Sequence, residues 1–428
     1  MSIAILFGSF FLALLLRVPI AMALGLSGFL VIFVEGLNPI VAISRFYEGL
    51  NSFPLLAVPF FLLAGQMMNA GQITERIMSF AMAIVGHIRG GLAHVNVVVS
   101  MMFAGMSGSA VADTSGVGAI LIPSMKERGY SENFVVALTA ASSTMGAVIP
   151  PSILMVIYGA AGNVSIGALF VAGAIPGIMI GLIQMGYSYV YAISQGSPAE
   201  EWKGVGQVVR TGKAAIGPLL VPIIILSGVL SGQFTATEAG MVATLYTAFL
   251  VFVAYRTFPI RSVPRLLSDT VVSYSLPLLA VSAASFFGWL LAFLEVPAFA
   301  VQIAEPALGS PELMMLALVL LFIVLGTFLD AVPAIIIFMP IVAGFVEETG
   351  AHPVQTGIVV ILTLALGLVT PPYGLCLLVA SMISKTPVVK VIPQMLVFLA
   401  LMLVVIFAVI FIPVLTLALP SWLIPNFR

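Results

Sequence analysis

Gly146-Ala147-Val148-Ile149-Pro150-Pro151 and Gly367-Leu368-Val369-Thr370-Pro371-Pro372 write one pattern twice, each inside a long apolar run. A helix should pass through such a run without interruption. Proline removes a backbone N–H and clashes with the carbonyl four residues back, and glycine loosens the turn before it. In lipid a freed carbonyl is costly, so a broken helix survives only where protein, water or a ligand satisfies it. A plain kink at each Pro-Pro is the competing reading. Recurrence in register beside a second hairpin favours a duplicated ligand site.

Composition makes lipid the relevant solvent. The 428 residues are 61% hydrophobic and 7% charged, against about 25% charged in a soluble domain, so the chain reads as an all-α polytopic membrane protein. A net charge of −1 argues against nucleic-acid binding. The lone Cys376 lies in an apolar run, which leaves no disulfide framework and no cysteine metal site. The membrane portion offers no cluster of His, Cys or carboxylates for a transition metal, and no catalytic constellation. The first residues, Met1 to Gly8, carry no positive charge before the apolar run and read as a membrane segment rather than a cleaved signal.

A spanning helix needs roughly 20 apolar residues. Ile3–Val34 is long enough for two crossings broken at Arg17-Val18-Pro19, and Pro54–Met68 makes a third. Pro39–Phe53 and Gln72–Arg89 are mixed and suit the interface. The stretch 92–122 is holed by Gly105-Met106-Ser107-Gly108-Ser109-Ala110-Val111-Ala112-Asp113-Thr114-Ser115-Gly116, which fits a re-entrant hairpin better than one straight helix. A broken helix at 134–158 and a crossing at Ile166–Ile193 close a first repeat, 1–193. Ser194–Lys213 reads as a linker, 194–213, and the order then recurs in a second repeat, 214–428, with Ala214–Leu230 and Ala239–Ala254 as crossings. Arg256–Asp269 is the interfacial stretch, and Pro277-Leu278-Leu279-Ala280-Val281 restates Pro54-Leu55-Leu56-Ala57-Val58 to open the next crossing. The hairpin 313–342 contains Gly326-Thr327-Phe328-Leu329-Asp330, the broken helix is 357–384, and Val388–Leu417 ends the chain. Asp330 follows Asp113 by 217 residues, Pro340 follows Pro123 by 217, and the second proline pair follows the first by 221.

About five crossings and one returning hairpin per repeat make the second repeat run upside down. Lys and Arg of short loops favour the cytoplasm. With both termini outside, Arg17, Arg76, Arg89, Lys126, Arg128, Lys203, Arg210, Lys213, Arg256, Arg261, Arg265, Lys385 and Lys390 lie inside, and only Arg45 and Arg428 outside. Inverted repeats with paired hairpins and broken helices mark a secondary transporter with its site near the midplane.

The candidate ligands are hydroxyls and freed carbonyls: Ser107, Ser109, Gly146, Val148, Ile149 and Pro150 in the first repeat, Gly326, Thr327, Gly367, Val369 and Thr370 in the second. Uncharged hard oxygens suit sodium, and two equivalent clusters imply at least two ions. The serines could equally serve helix packing. Asp113 and Asp330 could coordinate or protonate, or could N-cap the second helix of each hairpin. Ser109, Asp113, Asp330 and Tyr373 are the candidate substrate contacts, and His87 and His94 flank the Arg89-Gly90-Gly91 turn near the surface.

The run Gly105–Thr114, with Pro54-Leu55-Leu56-Ala57-Val58-Pro59-Phe60-Phe61, Ala64-Gly65, Met68-Asn69, Ile122-Pro123, Met125-Lys126 and both Pro-Pro breaks, resembles the large membrane subunit of tripartite ATP-independent periplasmic (TRAP) transporters, the DctM-like family. The resemblance implies a sodium-driven importer in the bacterial inner membrane, working as an elevator whose hairpin-bearing domain slides against a scaffold. Gln72–Arg89 and Val296–Leu308 would then be the arms linking the two. It implies a small four-helix membrane subunit, here a separate chain, and a periplasmic substrate-binding protein. It also implies organic acids as substrates: C4-dicarboxylates, sialic acids or sugar acids. The rival readings are a stand-alone sodium/anion symporter that needs no binding protein, a membrane-embedded lipid enzyme, which would require acidic or histidine motifs, and a channel.

Overall fold

The structure, a computed structural model, describes residues 1–196, 199, 201–304, 309–424 and 427. Arg428, residues 197, 198 and 200 of the expected linker, and 305–308 of the second expected arm lie outside the described residues. The chain is helical throughout what is described. Its first half runs α1 (Ser2–Leu15), α2 (Ile20–Val34), α3 (Pro39–Leu50), α4 (Ala57–Ala70), α5 (Ile73–Val85), α6 (Gly91–Ser107), α7 (Ala110–Glu127), α8 (Glu132–Ser143), α9 (Ile153–Gly162) and α10 (Ile166–Ser194). The second half runs α11 (Val205–Leu230), α12 (Ala236–Phe249), α13 (Val263–Phe293), α14 (Val296–Ala304), α15 (Pro311–Gly326), α16 (Ala331–Thr349), α17 (Pro353–Gly367), α18 (Leu375–Ser384), α19 (Val388–Phe411) and α20 (Val414–Leu423).

Seven helices among the described residues are long and apolar enough to cross a membrane, starting with Phe53–Ala70 and ending with Val388–Phe411. Because most of these helices are apolar all round, their ends are set by caps and breakers rather than by a polar face. Asn38 accepts the Ile40 N–H at 3.0 Å ahead of Pro39, and Thr235 and Glu238 form a reciprocal capping box that opens α12.

Two bodies of helices pack against each other. α1–α4 and α11–α13 make the outer one, where Phe29, Phe46 and Phe286 cluster between α2, α3 and α13. Lipid gives apolar side chains no reason to associate, so close approach and hydrogen bonds must hold such helices. A Cβ at Gly28 would strike the Phe286 ring. Thr237 and Thr244 of α12 donate to the carbonyls of Phe53 at 2.8 Å and Phe60 at 2.9 Å, and Ser282 of α13 donates to Phe46 at 2.7 Å. The inner body holds both hairpins, α6–α7 and α15–α16, and both broken helices, α8–α9 and α17–α18. Contacts cross between halves: α7 packs on α18, and α16 packs on α9. The buried Asn96 Nδ2 donates to Thr139 Oγ1 at 2.7 Å and Ser142 Oγ donates to Asn96 Oδ1 at 3.1 Å, which ties α6 to α8.

Three expectations change. Arg256–Asp269 is not a separate interfacial stretch, because α13 begins at Val263 and continues through Pro277 to Phe293. The expected linker is partly helical, since α11 already starts at Val205. His87 is exposed, but His94 is 2% exposed, its Nε2 at 3.0 Å from the Arg89 carbonyl.

Where the first hairpin ends, Lys126 Nζ donates to the Ser384 carbonyl at 3.0 Å and pairs with Glu132 at 2.8 Å. This contact clips the first hairpin to the second broken helix. Lys126→Met should cost about 1–3 kcal/mol, the worth of a charged hydrogen bond. Glu132→Gln should cost less, since that carboxylate is more than half exposed. Thermal unfolding of the detergent-solubilised variants tests this; an unchanged midpoint for Lys126→Met would remove the clip from the account.

Candidate functional site

At the first tip Ser107 ends α6, Gly108 turns the chain with φ +63°, and Ser109 opens α7. Ser109 is the N-cap, its Oγ accepting the Ala112 N–H at 3.4 Å. Asp113 therefore does not cap α7. It lies a turn inside the helix, fully buried, and accepts from Ser107 Oγ through Oδ1. Its Oδ2 is buried and has no hydrogen-bond partner among the described residues.

The first break faces this tip. α8 gives way to a 3-10 turn, Thr144–Ala147, and the chain resumes as α9 under the cap of Ser152. Ser152 Oγ accepts the Met155 N–H at 3.3 Å and donates to the Ala147 carbonyl at 2.5 Å, so one hydroxyl spans the break. The Ile153 N–H donates to the Gly108 carbonyl at 3.2 Å. Gly108 must be glycine twice over, since its φ is positive and a Cβ would come within 2.8 Å of the Pro151 carbonyl. At Gly146 a Cβ would strike Asp113 Oδ2 and come within 3.0 Å of the Ser109–Ala110 peptide.

The second site is built on the same register. Gly326 stands 217 residues after Ser109, and Gly367 stands 221 after Gly146. A Cβ on Gly367 would come within 2.9 Å of Gly326 Cα, and one on Gly326 within 3.0 Å of Gly367 Cα. Thr327 and Thr370 turn their hydroxyls back to their own helices, to Val324 at 2.7 Å and Leu366 at 2.9 Å, which leaves their lone pairs as acceptors. Asp330 does cap its helix, accepting the Ala331 N–H at 2.9 Å. Tyr373 occupies the place of Ser152, and with no short hydroxyl there the Cys376 N–H donates directly to Leu368 at 2.9 Å. The Pro150–Pro151 and Pro371–Pro372 bonds are both cis.

Ser107, Ser109, Asp113 and Gly146 thus come together, as do Gly326 and Gly367, while Thr327 and Thr370 flank that second contact in sequence. The Pro150 carbonyl faces Gly105 of α6, where a Cβ would lie 3.6 Å away. The Val148 carbonyl instead lies against Gly173 of α10, and the Ile149 side chain against Gly177. Val369 is buried, and Tyr373 is 37% exposed.

Both tips and both breaks open on one cavity of about 420 Å³, lined by Gly108–Ala112 and Ser115, Ala147 and Ile153, Asp330–Val332, Leu368 and Leu375. Asp113 and Tyr373 do not line it. The facing wall comes from α4 and α13, where the matched Val58 and Val281 both appear with Gln66, Asn69, Ser273 and Tyr274. None of its lining residues is Lys, Arg or His. Thr270 donates to Gln66 Oε1 at 2.6 Å, and Gln66 Nε2 donates to Ser273 at 3.4 Å. Gln66, Ser273 and Tyr274 carry no expectation from the sequence, and Asn69 entered it only within the Met68-Asn69 pair. Gln66 and Asn69, three apart on one face of an apolar helix, carried a usable signal.

The family model described as "Tripartite ATP-independent periplasmic transporter, DctM component" matches residues 7–415. The sialic acid TRAP transporter large permease protein SiaM of Vibrio cholerae is 39% identical over 346 residues, 81% of each chain. The C4-dicarboxylate TRAP transporter large permease protein DctM of Pseudomonas aeruginosa is 36% identical over 403 residues, 94% of each. In fold, the chain is similar to the Alcanivorax borkumensis YdaH transporter, with a TM-score of 0.57 and 14% identity, covering 89% of this chain and 86% of that one.

If tip and break must touch through backbone, a methyl there is not tolerated. Gly146→Ala and Gly367→Ala should each destabilise by about 1–3 kcal/mol, as overpacking does. Gly8→Ala, with nothing within 4 Å, should be neutral. Melting of the purified variants decides; Gly367→Ala melting like Gly8→Ala would break the contact argument.

Proposed function

Because this chain belongs to the family of the DctM component of tripartite ATP-independent periplasmic transporters, a family of transporters rather than enzymes, we propose that it is the sodium-driven, substrate-translocating subunit of an organic-acid importer. It is a multi-pass membrane protein. In this reading the halves 1–193 and 214–428 are inverted repeats joined by the cytoplasmic linker 194–213. The α6–α7 and α15–α16 pairs are re-entrant hairpins, both termini are periplasmic, and the membrane is the bacterial inner membrane. The observation that carries the reading is the convergence of both tips, both breaks and the α4–α13 wall on one cavity.

Sodium is cargo here. At the first cluster its fit is supported by a buried Asp113 Oδ2 with no partner among the described residues, aimed at the space a Cβ on Gly146 would fill. At the second cluster the acceptor lone pairs of Thr327 and Thr370, and the second lone pairs of the backbone carbonyls around Gly367, supply uncharged oxygens. At least two sodium ions therefore accompany each substrate. With no basic side chain lining the cavity, a carboxylate would take its counter-charge from sodium and from the N-terminal end of α7. The names of the two relatives, a sialic acid and a C4-dicarboxylate permease, support an organic acid as substrate, with sugar acids of the same chemistry. The α6–α10 and α15–α19 body slides as an elevator against the α1–α4 and α11–α13 scaffold. The partners are a small four-helix membrane subunit and a periplasmic substrate-binding protein.

Proteoliposomes holding this chain and its small subunit, with the loaded binding protein outside, should take up substrate on an inward sodium gradient. Ser109→Ala and Thr370→Ala should each raise the sodium needed for half-maximal uptake about tenfold, ~1.4 kcal/mol of ion binding. Equal uptake on a proton gradient without sodium would defeat the ion assignment. Unaltered sodium dependence in both variants would defeat the residue assignment. Full uptake without the binding protein would make the chain a self-sufficient sodium/anion symporter.

A further inference from the structure

The polar groups that line the transport cavity differ in which half of a hydrogen bond they still offer. Three hydroxyls have given their protons to the backbone. Ser115 Oγ donates to the Ala112 carbonyl at 2.9 Å, Ser273 Oγ to Asp269 at 2.7 Å, and the Tyr274 hydroxyl to Leu55 at 3.3 Å. A hydroxyl has one proton and two lone pairs, so each of these presents an acceptor to the cavity. Asp330 is a fourth acceptor. Its Oδ1 takes the Ala331 N–H at 2.9 Å, and Oδ2 has no hydrogen-bond partner among the described residues. As the cap of α16 it sits where the helix dipole favours the ionised carboxylate. Donors are fewer. Ser109 Oγ accepts the Ala112 N–H, which leaves its own proton to give. Asn69 Oδ1 is taken by Thr74 at 3.2 Å, and its Nδ2 has no acceptor among the described residues.

A carboxylate can only accept. Under the transport reading, on which this inference rests, one carboxylate of the ligand is met by sodium, Ser109 and the N-terminal end of α7. A second carboxylate would face the lone pairs of Ser115, Ser273 and Tyr274, the charge of Asp330, and no Lys, Arg or His. Like charges and unpaired acceptors brought together are costly. A hydroxyl group fits the same surface, because it donates to those acceptors and can accept from Asn69. The remaining lining, Val58, Leu62, Leu154 and Ile157 among it, is apolar, as in most small-molecule cavities, and suits the C–H face of a carbon chain or ring.

We infer that the substrate is a monocarboxylate bearing several hydroxyl groups, and that Ser115, Ser273, Tyr274 and Asp330 select it against dicarboxylates. The test measures binding to the full-length chain in nanodiscs, with and without sodium. The binding protein is left out, because its own selectivity would mask that of the cavity. Gluconate and glucuronate serve as hydroxylated monocarboxylates, hexanoate as a chain without hydroxyls, succinate as the dicarboxylate and γ-aminobutyrate as an ammonium-bearing acid. One of the hydroxylated probes should bind tightest, by at least about tenfold, since a site built to bond hydroxyls rejects analogues that lack them. Ser115→Ala should weaken that probe about fivefold, the loss of one neutral hydrogen bond, and leave hexanoate unchanged. Asp330→Asn keeps a capping side chain on α16 and should improve succinate about tenfold by removing a like charge. A merely structural role for Asp330 would give no such gain. Succinate or hexanoate binding tightest, or no gain for succinate in Asp330→Asn, would overturn the selectivity, and sodium-dependent binding in the same assay would leave the transport reading standing. Tightest binding of γ-aminobutyrate would make Asp330 an ammonium site and overturn the hydroxyl assignment. Binding of a hydroxylated probe without regard to sodium would defeat the ion assignment and uphold the selectivity. If no probe bound, both would fall.

Discussion

A peptide group inside a bilayer has no water to turn to, so every interruption of a helix must be answered by a partner held in a fixed place. The first break in this chain is answered in part by its hairpin tip, and the second within its own turn, where the Cys376 N–H donates to the Leu368 carbonyl. Ile153 gives its N–H to the Gly108 carbonyl, and Ser152 bridges Met155 to Ala147. Gly146 and Gly367 then strip away the side chains that would hold tip and break apart. Much else follows from keeping those contacts. The hairpin helices must not slide, and Asn96, Thr139 and Ser142 fix α6 to α8. The halves must not part, and the Lys126 clip and the α7–α18 and α9–α16 packing hold them.

The duplication is close in register but not in chemistry. The first tip is short, capped by Ser109, with Asp113 a turn deeper and bonded to Ser107. In the second, α15 runs on to Gly326, the loop is longer, and Asp330 takes the capping role itself. One aspartate is thus committed to its helix and exposed to the cavity, while the other keeps a buried oxygen unspent. The two clusters therefore differ as electrostatic environments even though their backbones meet at equivalent positions.

Much of this frame was legible in the sequence because it rests on residues with few alternative uses. A glycine followed four residues later by Pro-Pro in an apolar run can do little but break a helix, and a constant spacing of 217 residues between two aspartates and two prolines marks a recurring pattern. What escaped was set by neighbours distant in sequence. Nothing local says that α13 runs unbroken through Pro277, when the matching α3–α4 segment is interrupted at Asn51-Ser52. His94 lies next to a surface turn, yet is covered by packing from elsewhere in the fold. Val148 and Ile149 belong to the break, but the direction of a carbonyl or side chain there depends on α10, whose Gly173 and Gly177 receive them. Gln66 gains its meaning from Thr270 and Ser273, more than 200 residues away.

The unbroken α13 also bears on how the cavity is shaped. The second hairpin lies flush on it, with α16 packed along α13 and Gly288 allowing the Ile336 carbonyl to approach where a Cβ would stand 3.3 Å away. The corresponding α4 and α7 touch only slightly, and the cavity opens between Leu55–Asn69 and Gly108–Ser115. Both hairpins meet the outer body, the second along much of α16 and the first at close points, where a Cβ on Gly65 would come within 3.2 Å of Ser107 and one on Gly116 would strike Asn69. Under the transport reading, such asymmetry is what one end of an alternating cycle requires, since two equally sealed hairpins would bury the site and two equally parted ones would leak.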